Sequence, residues 1–185
     1  MHRHAPSWAA LALLLAGPGA RALSVEELET SFDAGVYRVS LQAVVDAPPA
    51  AVGAVLADFA AYPALDPRIL QSESLGVDAD GAVLLRTRIR ACEGFFCRTV
   101  TRVERVEAGP GKLVATVVPA SSEVREGLTR TEWSAAQGGT RVRYEAEFEP
   151  DFWVPAIIGR RFANHMLRES TVQLFENVER TARER

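Results

Sequence analysis

Two cysteines, Cys92 and Cys97, stand with four residues between them in the segment Ala91-Cys92-Glu93-Gly94-Phe95-Phe96-Cys97. A hairpin loop of that length, carrying a glycine, puts them opposite each other on neighbouring strands. Cross-strand Cβ atoms there lie about 4.5–5.5 Å apart, near what a disulfide needs. The spacing is not that of a redox C-x-x-C pair, and only His165 stands elsewhere in the chain beyond its first few residues to complete a metal site. A structural disulfide is the expectation; no metal and no cofactor is expected. His165 falls near the apolar row of a final helix, where a lone histidine reads as a surface or packing residue. No nucleophile and base can be paired by spacing, so no catalytic residue is assigned. Asp58, Tyr62 and Asp66 could line a pocket, although the two aspartates read equally well as helix-end residues. Trp133 and Tyr144 carry polar tips that need a partner, or a ligand head group, if they face an interior.

The start of the chain bears on the cysteines. His2, Arg3 and His4 precede an apolar stretch over residues 8–15, then Gly17-Pro18-Gly19 and the small-residue pattern Ala20-Arg21-Ala22. That stretch is about half the length that crosses a bilayer. It reads as a signal peptide over 1–22, cut after Ala22, with residues 23–185 forming one periplasmic or secreted domain. No cysteine follows the cut, so a lipoprotein is not expected. In an oxidising compartment the cysteine pair should be bridged. The net charge is −3 and Lys112 is the only lysine. Nothing resembles a basic patch with interleaved aromatics, so nucleic-acid binding is not expected. No linker, charge block or internal repeat divides the chain, and a monomer is expected.

The elements that position these residues follow from periodicity. Residues 36–45 alternate, with Tyr37, Val39, Leu41, Ala43 and Val45 on one face. Pro48-Pro49 ends that strand, and 50–59 has Val52, Val55, Leu56 and Phe59 at helical spacing, with a second short turn closed by Pro67. Six further strands are read at 69–75, 82–91, 97–106, 112–118, 124–134 and 140–148, separated by turn residues at hairpin spacing. Pro155 sits where a helix begins. Ile158, Phe162, Met166, Leu174 and Val178 then follow an i, i+4 row of six or seven turns. The expected fold is α+β: a curved seven-stranded antiparallel sheet, two short helices after strand one, and a long C-terminal helix over the concave face. The strand 97–106 stays ambiguous. If both cysteines face outward, Val100, Arg102 and Glu104 face inward, and either the two charges pair or a bulge shifts the parity.

This order of elements resembles the START-like helix-grip fold. VVDAPPAAVGAVLADFAAYPALDP (44–67) is similar to the opening signature of the polyketide cyclase/dehydrase and lipid-transport superfamily (SRPBCC). The coenzyme Q-binding branch has the same strand-Pro-helix-Asp-x-x-x-Tyr-Pro run. GGTRVRYEAEFEPDFWVPAIIG (138–159) resembles the last strand and final-helix entry of that branch. The resemblance implies a cavity for lipids, quinones, sterols or polyketides, with cyclase or aromatase activity in some members. The chain departs from many relatives at Gly53 and Leu65, where they carry an aromatic, so pocket size does not carry over.

A sheet gripped by one helix rarely fills its interior, and an apolar-lined cavity binds apolar molecules. The expected cavity residues are Val39, Leu41, Tyr62, Leu85, Ile89, Trp133, Val142, Tyr144, Phe148, Phe162 and Met166. Strand parity puts the Cys92–Cys97 hairpin, the 119–123 connection and the 152–153 entry to the final helix at one end of the sheet. Phe95, Phe96, Phe152 and Trp153 are therefore the expected rim, a greasy mouth for transient membrane contact. Two readings stay open. One is a carrier for a hydrophobic small molecule or lipid; the other is a cyclase or dehydratase acting on a polyketide-like substrate.

Overall fold

The computed structural model describes residues 23–93 and 96–185. The leader expected over 1–22 and the rim position at Phe95 lie outside the described residues. One antiparallel sheet holds eight strands: β1 (Ser24–Asp33), β2 (Val36–Val45), β3 (Ile69–Val77), β4 (Val83–Glu93), β5 (Phe96–Gly109), β6 (Lys112–Val117), β7 (Val124–Ala136) and β8 (Gly139–Pro150). Their order across the sheet is β1-β2-β8-β7-β6-β5-β4-β3. Helices α1 (Pro49–Leu56) and α2 (Tyr62–Leu65) follow β2, and a final helix runs as α3 (Ala156–Phe162), a π-helical turn (Ala163–Leu167) and α4 (Arg168–Arg183). This is the helix-grip layout, with one strand more than the seven expected.

The added strand is β1, paired with β2 from Ser24↔Val44 to Asp33↔Val36. Its acidic run Glu26-Glu27, followed by Glu29, breaks the alternation that marks a strand, and its register slips between Val25 and Glu27. Edge strands tolerate this because one face and one hydrogen-bonding side meet water, and charges and bulges there deter pairing with another chain. In β2 the alternation is complete. Tyr37, Val39, Leu41, Ala43 and Val45 are buried, and Arg38 points outward to pair with Glu147 of β8 at 2.9 Å. The outer face of the neighbouring strands carries further cross-strand pairs, such as Arg141 with Glu26 at 3.0 Å. Exposed pairs of this kind contribute about 0–1 kcal/mol each.

The inner face is covered in two ways. Pro49 starts α1 at a position whose missing N–H costs nothing, and Val52, Val55 and Leu56 are buried beneath it. A Cβ on Gly53 would stand 2.9 Å from Nε1 of Trp133, so the glycine lets α1 settle onto the indole. Beside it, Phe175 and Val178 of α4 are fully buried in one cluster with Leu41, Val45 and Val142. Buried polar groups tie this end together. Asn177 Nδ2 donates to the Leu65 carbonyl at 2.7 Å, and Glu179 accepts from the Asp46 N–H at 2.9 Å. Each such bond to a group with no water contributes most by not being left unmade.

The final helix is continuous but not uniform. Its inward row runs Ile158, Phe162, Met166 and then steps five residues to Thr171. That step is what a π turn produces, since it adds a residue to one turn. The row beyond it is Thr171, Phe175, Val178 and Ala182, all buried. Leu174, expected on the inward row, does face the interior but is only partly buried, because it borders unfilled space there as well as packed side chains.

Candidate functional site

Between the sheet and the π turn the interior is not filled. A cavity of about 230 Å3 extends from β3–β5 to β8, roofed by Phe162, Met166, Leu167, Thr171 and Leu174. A second lobe of about 130 Å3 lies toward the β4–β5 hairpin, lined by Tyr37, Val100, Val124, Phe152, Val154 and Ile158 among others. Ile89, Ala91, Arg102, Phe148 and Phe162 border both lobes. The larger lobe has a polar wall; the smaller is almost wholly apolar. A shallow open groove of about 780 Å3 elsewhere is lined by Arg38, Arg130, Glu145, Glu147 and Arg168. Its walls are charged and solvated, so it offers an apolar ligand little.

The expected cavity residues divide. Tyr62, Leu85, Ile89, Tyr144, Phe148, Phe162 and Met166 line the larger lobe. Val39, Leu41, Val142 and Trp133 do not line either lobe. Leu41 and Val142 are buried in close packing, Val39 is buried beside the open charged groove, and the Trp133 indole lies against Gly53 under α1. They share the inner face with the lining residues, but α1 and α4 press on that part of the sheet. Alternation gives the face; only the helix positions decide which part of it borders a void.

The ambiguity in β5 resolves without a bulge. Pairing with β4 runs unbroken from Val83↔Val106 to Glu93↔Phe96, with Cys92 opposite Cys97. The two cysteines form a disulfide. Arg102 and Glu104 therefore both face inward, and Arg102 Nε lies 3.0 Å from Glu104 Oε2. The N–H does not point along that line: the contact is an ion pair, and Nε is buried with no hydrogen-bond acceptor. Glu104 is only 3% exposed. Breaking such a pair from one side costs about 3–5 kcal/mol, because the surviving charge is stranded.

A second ion pair borders the same lobe. Asp66 receives Arg68 through Nε at 2.8 Å and Nη2 at 2.6 Å, and also takes the Arg68 backbone N–H at 2.9 Å. Asp58 is not part of this site; it pairs with Arg185 at 2.6 Å on the surface. Tyr62 donates to the Leu56 carbonyl at 2.9 Å. Burial, then the nearby Glu104 charge, pushes the Tyr62 phenol well above its ordinary range. Burial is also the main cause of the raised Tyr144 phenol. Burial alone pushes Tyr37, at the smaller lobe, up to about 12. All three phenols are thus held neutral, as donors. His165 is exposed on the outer side of the π turn and does not border either lobe. Among the described residues no group of His, Cys, Asp and Glu could hold a metal ion.

The three connections at this end of the sheet gather as strand parity requires. Glu123 accepts from the Thr101 N–H at 2.8 Å, pairs with Arg98 at 3.3 Å, and its carbonyl takes the Asp151 N–H at 3.0 Å. The Arg98 guanidinium stands 4.0 Å over the Phe152 ring. Phe152 lines the smaller lobe, whereas Trp153 is 81% and Ile157 74% exposed. Phe96 begins β5 opposite Glu93.

Sequence reasoning offered Asp66 as a pocket residue, and it does line the larger lobe, but it missed the partner Arg68, and Leu113, Thr129 and Thr131 on β6 and β7. The threonines alternate with charged neighbours along β7, and that signal could have placed them.

Residues 37–183 match the family described as polyketide cyclase / dehydrase and lipid transport. No curated protein sequence matches the chain. Among solved structures, the Zhui aromatase/cyclase from a Streptomyces species superposes with a TM-score of 0.66 at 16% identity, over 81% of this chain and 95% of that one. A START superfamily protein from Mycobacterium smegmatis gives 0.62 at 19% identity, over 77% and 97%. A STAR-related lipid transfer protein from Xanthomonas axonopodis gives 0.60 at 16% identity, over 84% and 98%. At these identities the likeness is one of fold.

Proposed function

The chain belongs to the polyketide cyclase/dehydrase and lipid transport family, and from that premise we propose that it carries a hydrophobic small molecule between sheet and final helix. The observation that carries this reading is the two-lobed cavity of about 230 and 130 Å3, walled mainly by aliphatic and aromatic side chains. That space suits a single chain or a pair of fused rings better than a diacyl lipid, and pockets of a few hundred Å3 are the usual size for small ligands. The ligand enters through the smaller lobe, past Phe152. Trp153 and Ile157 stand exposed beside it and touch a membrane transiently during loading, since large apolar residues grouped at a loop favour an interface. The apolar leader over 1–22 and the disulfide support a periplasmic or secreted site of action.

Native mass spectrometry of protein purified from its own periplasm tests the reading. A single co-purifying apolar species, lost in Phe162→Asp, is the expected result. An empty protein, or a folded Phe162→Asp variant that keeps the ligand, overturns it. Recovery of the precursor with residues 1–22 intact in the cytoplasm would remove the location.

One observation favours a second reading. Glu104 and Tyr144 border the larger lobe, where a carboxylate and a phenol could move protons for a cyclase or dehydratase. A bound molecule that leaves chemically unchanged supports the carrier; one that leaves cyclised or dehydrated supports the enzyme.

A further inference from the structure

The polar wall of the larger lobe has its charges matched but not its hydrogen bonds. The Arg102 guanidinium is neutralised by Glu104 at 3.0 Å. Yet none of the described residues accepts a hydrogen bond from it, and its Nε is buried without an acceptor. A guanidinium has five N–H donors in a fixed fork; this one borders the cavity with its Nε buried and unpaired and its side chain 25% exposed. The Tyr144 hydroxyl borders the same space, and no described residue bonds it. Tyr62, by contrast, has spent its proton on the Leu56 carbonyl. Buried donors in native proteins are seldom left unpaired. What is missing is an oxygen that accepts.

The charge of that oxygen follows from Glu104. It is 3% exposed and sits against the guanidinium that would receive the ligand. An incoming carboxylate would place a second anion beside Glu104 where water screens little, and repulsion between them would offset its attraction to Arg102. The other cation at this wall, Arg68, is already held by Asp66 through two hydrogen bonds. A neutral carbonyl oxygen meets no such repulsion and still satisfies the donors.

We propose that Arg102 and Tyr144 form a donor pair for an uncharged acceptor oxygen, with Glu104 as the residue that excludes anions. The ligand is then a neutral carbonyl-bearing molecule, its oxygen at the polar wall and its apolar part directed past Phe148 and Phe162 into the smaller lobe. Fatty acids and other carboxylates are disfavoured. This rests on the carrier reading, and it adds which head group the cavity selects.

The test displaces the fluorescent dye N-phenyl-1-naphthylamine from the full-length mature protein with three competitors of equal carbon count. These are hexanophenone (a neutral ketone), hexylbenzene (no oxygen) and 4-pentylbenzoate (an anion). Hexanophenone should displace the dye at roughly tenfold lower concentration than hexylbenzene, as one hydrogen bond to a charged donor warrants, and 4-pentylbenzoate should be the weakest. Glu104→Gln strands the Arg102 charge and should strengthen 4-pentylbenzoate by about tenfold or more. Because that variant also risks the fold, the doubly neutral Arg102→Gln/Glu104→Gln is the second arm. In it only the neutral Tyr144 and amide donors remain, so the advantage of hexanophenone over hexylbenzene should shrink to about threefold or less. Equal competition by ketone and hydrocarbon in the wild type, or by ketone and benzoate, overturns the proposal while leaving the carrier intact. A wild-type protein that never binds the dye removes the carrier reading itself.

Discussion

The two ends of the final helix cover the same inner face of the sheet to opposite effect. Past the π turn, α4 lowers Phe175 and Val178 into a cluster with Leu41, Val45 and Val142, and the void tapers off against Thr171, Leu174 and one side of Phe175. Before it, α3 and the turn carry Phe162 and Met166 over open space. The strands beneath differ little in residue type; the difference is in the cover. At the packed end, Gly53 lets α1 close against Trp133, and Asn177 and Glu179 fasten α4 to the α2 and β2 termini. At the open end the helix is widened by one residue and its flanking segment leaves Trp153 in water. Stability is concentrated at one end, and room for a ligand at the other.

The largest effect that would break this division is a pair of matched truncations. Phe175→Ala should cost about 3–5 kcal/mol in urea unfolding, as a fully buried Phe does. Phe162 is only half-buried and borders both lobes, so Phe162→Ala should cost about 1–2 kcal/mol, while weakening ligand binding more than Phe175→Ala does in the protein that remains folded. Equal stability losses from the two would mean that the ends are not different in kind.

The disulfide sharpens the same comparison. Replacing both Cys92 and Cys97 by Ser should cost about 2 kcal/mol on the chain-entropy estimate for so short a ring. Hydrogen exchange should rise in β4 and β5 near the hairpin and stay unchanged in β2 and α4. Protection lost uniformly would show that the mouth and the packed end unfold as one.

The tyrosines report on the cavity, because all three border one lobe or the other. Their folded pKa values are raised, so the unfolded chain loses these protons first as pH climbs. The stabilisation is complete below the ordinary value of about 10, and is lost as pH rises toward about 12, where Tyr37 titrates in the folded state. Tyrosinate absorbance should therefore be absent from the folded protein at pH values near 10. Normal titration of two or more phenols there would place water in the cavity. The smallest effect is expected at the exposed residues. Trp153→Ser and Ile157→Ser should each change stability by less than about 0.5 kcal/mol, yet slow transfer of the bound molecule to vesicles. Unchanged transfer would leave the mouth without a role in docking.

How much of this could be read from residues varies with the range of the cause. The inner face of β2 and β8 was legible, because a period of two depends only on the strand itself. The rim connections were placed by parity alone. The first strand was not legible, since Glu26, Glu27 and Glu29 at an exposed edge carry no alternation. Nor was the direction of β5: an inward Arg102 beside an inward Glu104 reads the same as a bulge until the partner strand is seen. The π turn changes no composition and shifts the inward row by a single residue. Which inner-face residues border the cavity was the least legible, because Leu41 and Tyr144 are neighbours across β2 and β8 and only a helix far along the chain separates their roles.

The pairing of β2 with β8 has a bearing on how the protein forms. Tyr37 meets Phe148 and Val45 meets Thr140, so the strand made early waits for the strand made late. The six strands from β3 to β8 close hairpin by hairpin, but this seam joins distant parts of the chain, and such pairings slow folding toward milliseconds or longer. Until it closes, the Leu41 and Val39 side of β2 has no partner on one edge, and α4 has no complete floor to rest on. An emerging chain therefore passes through a stage in which its most apolar strand is uncovered, the stage at which a chaperone or an export factor that holds it extended would keep it from aggregating.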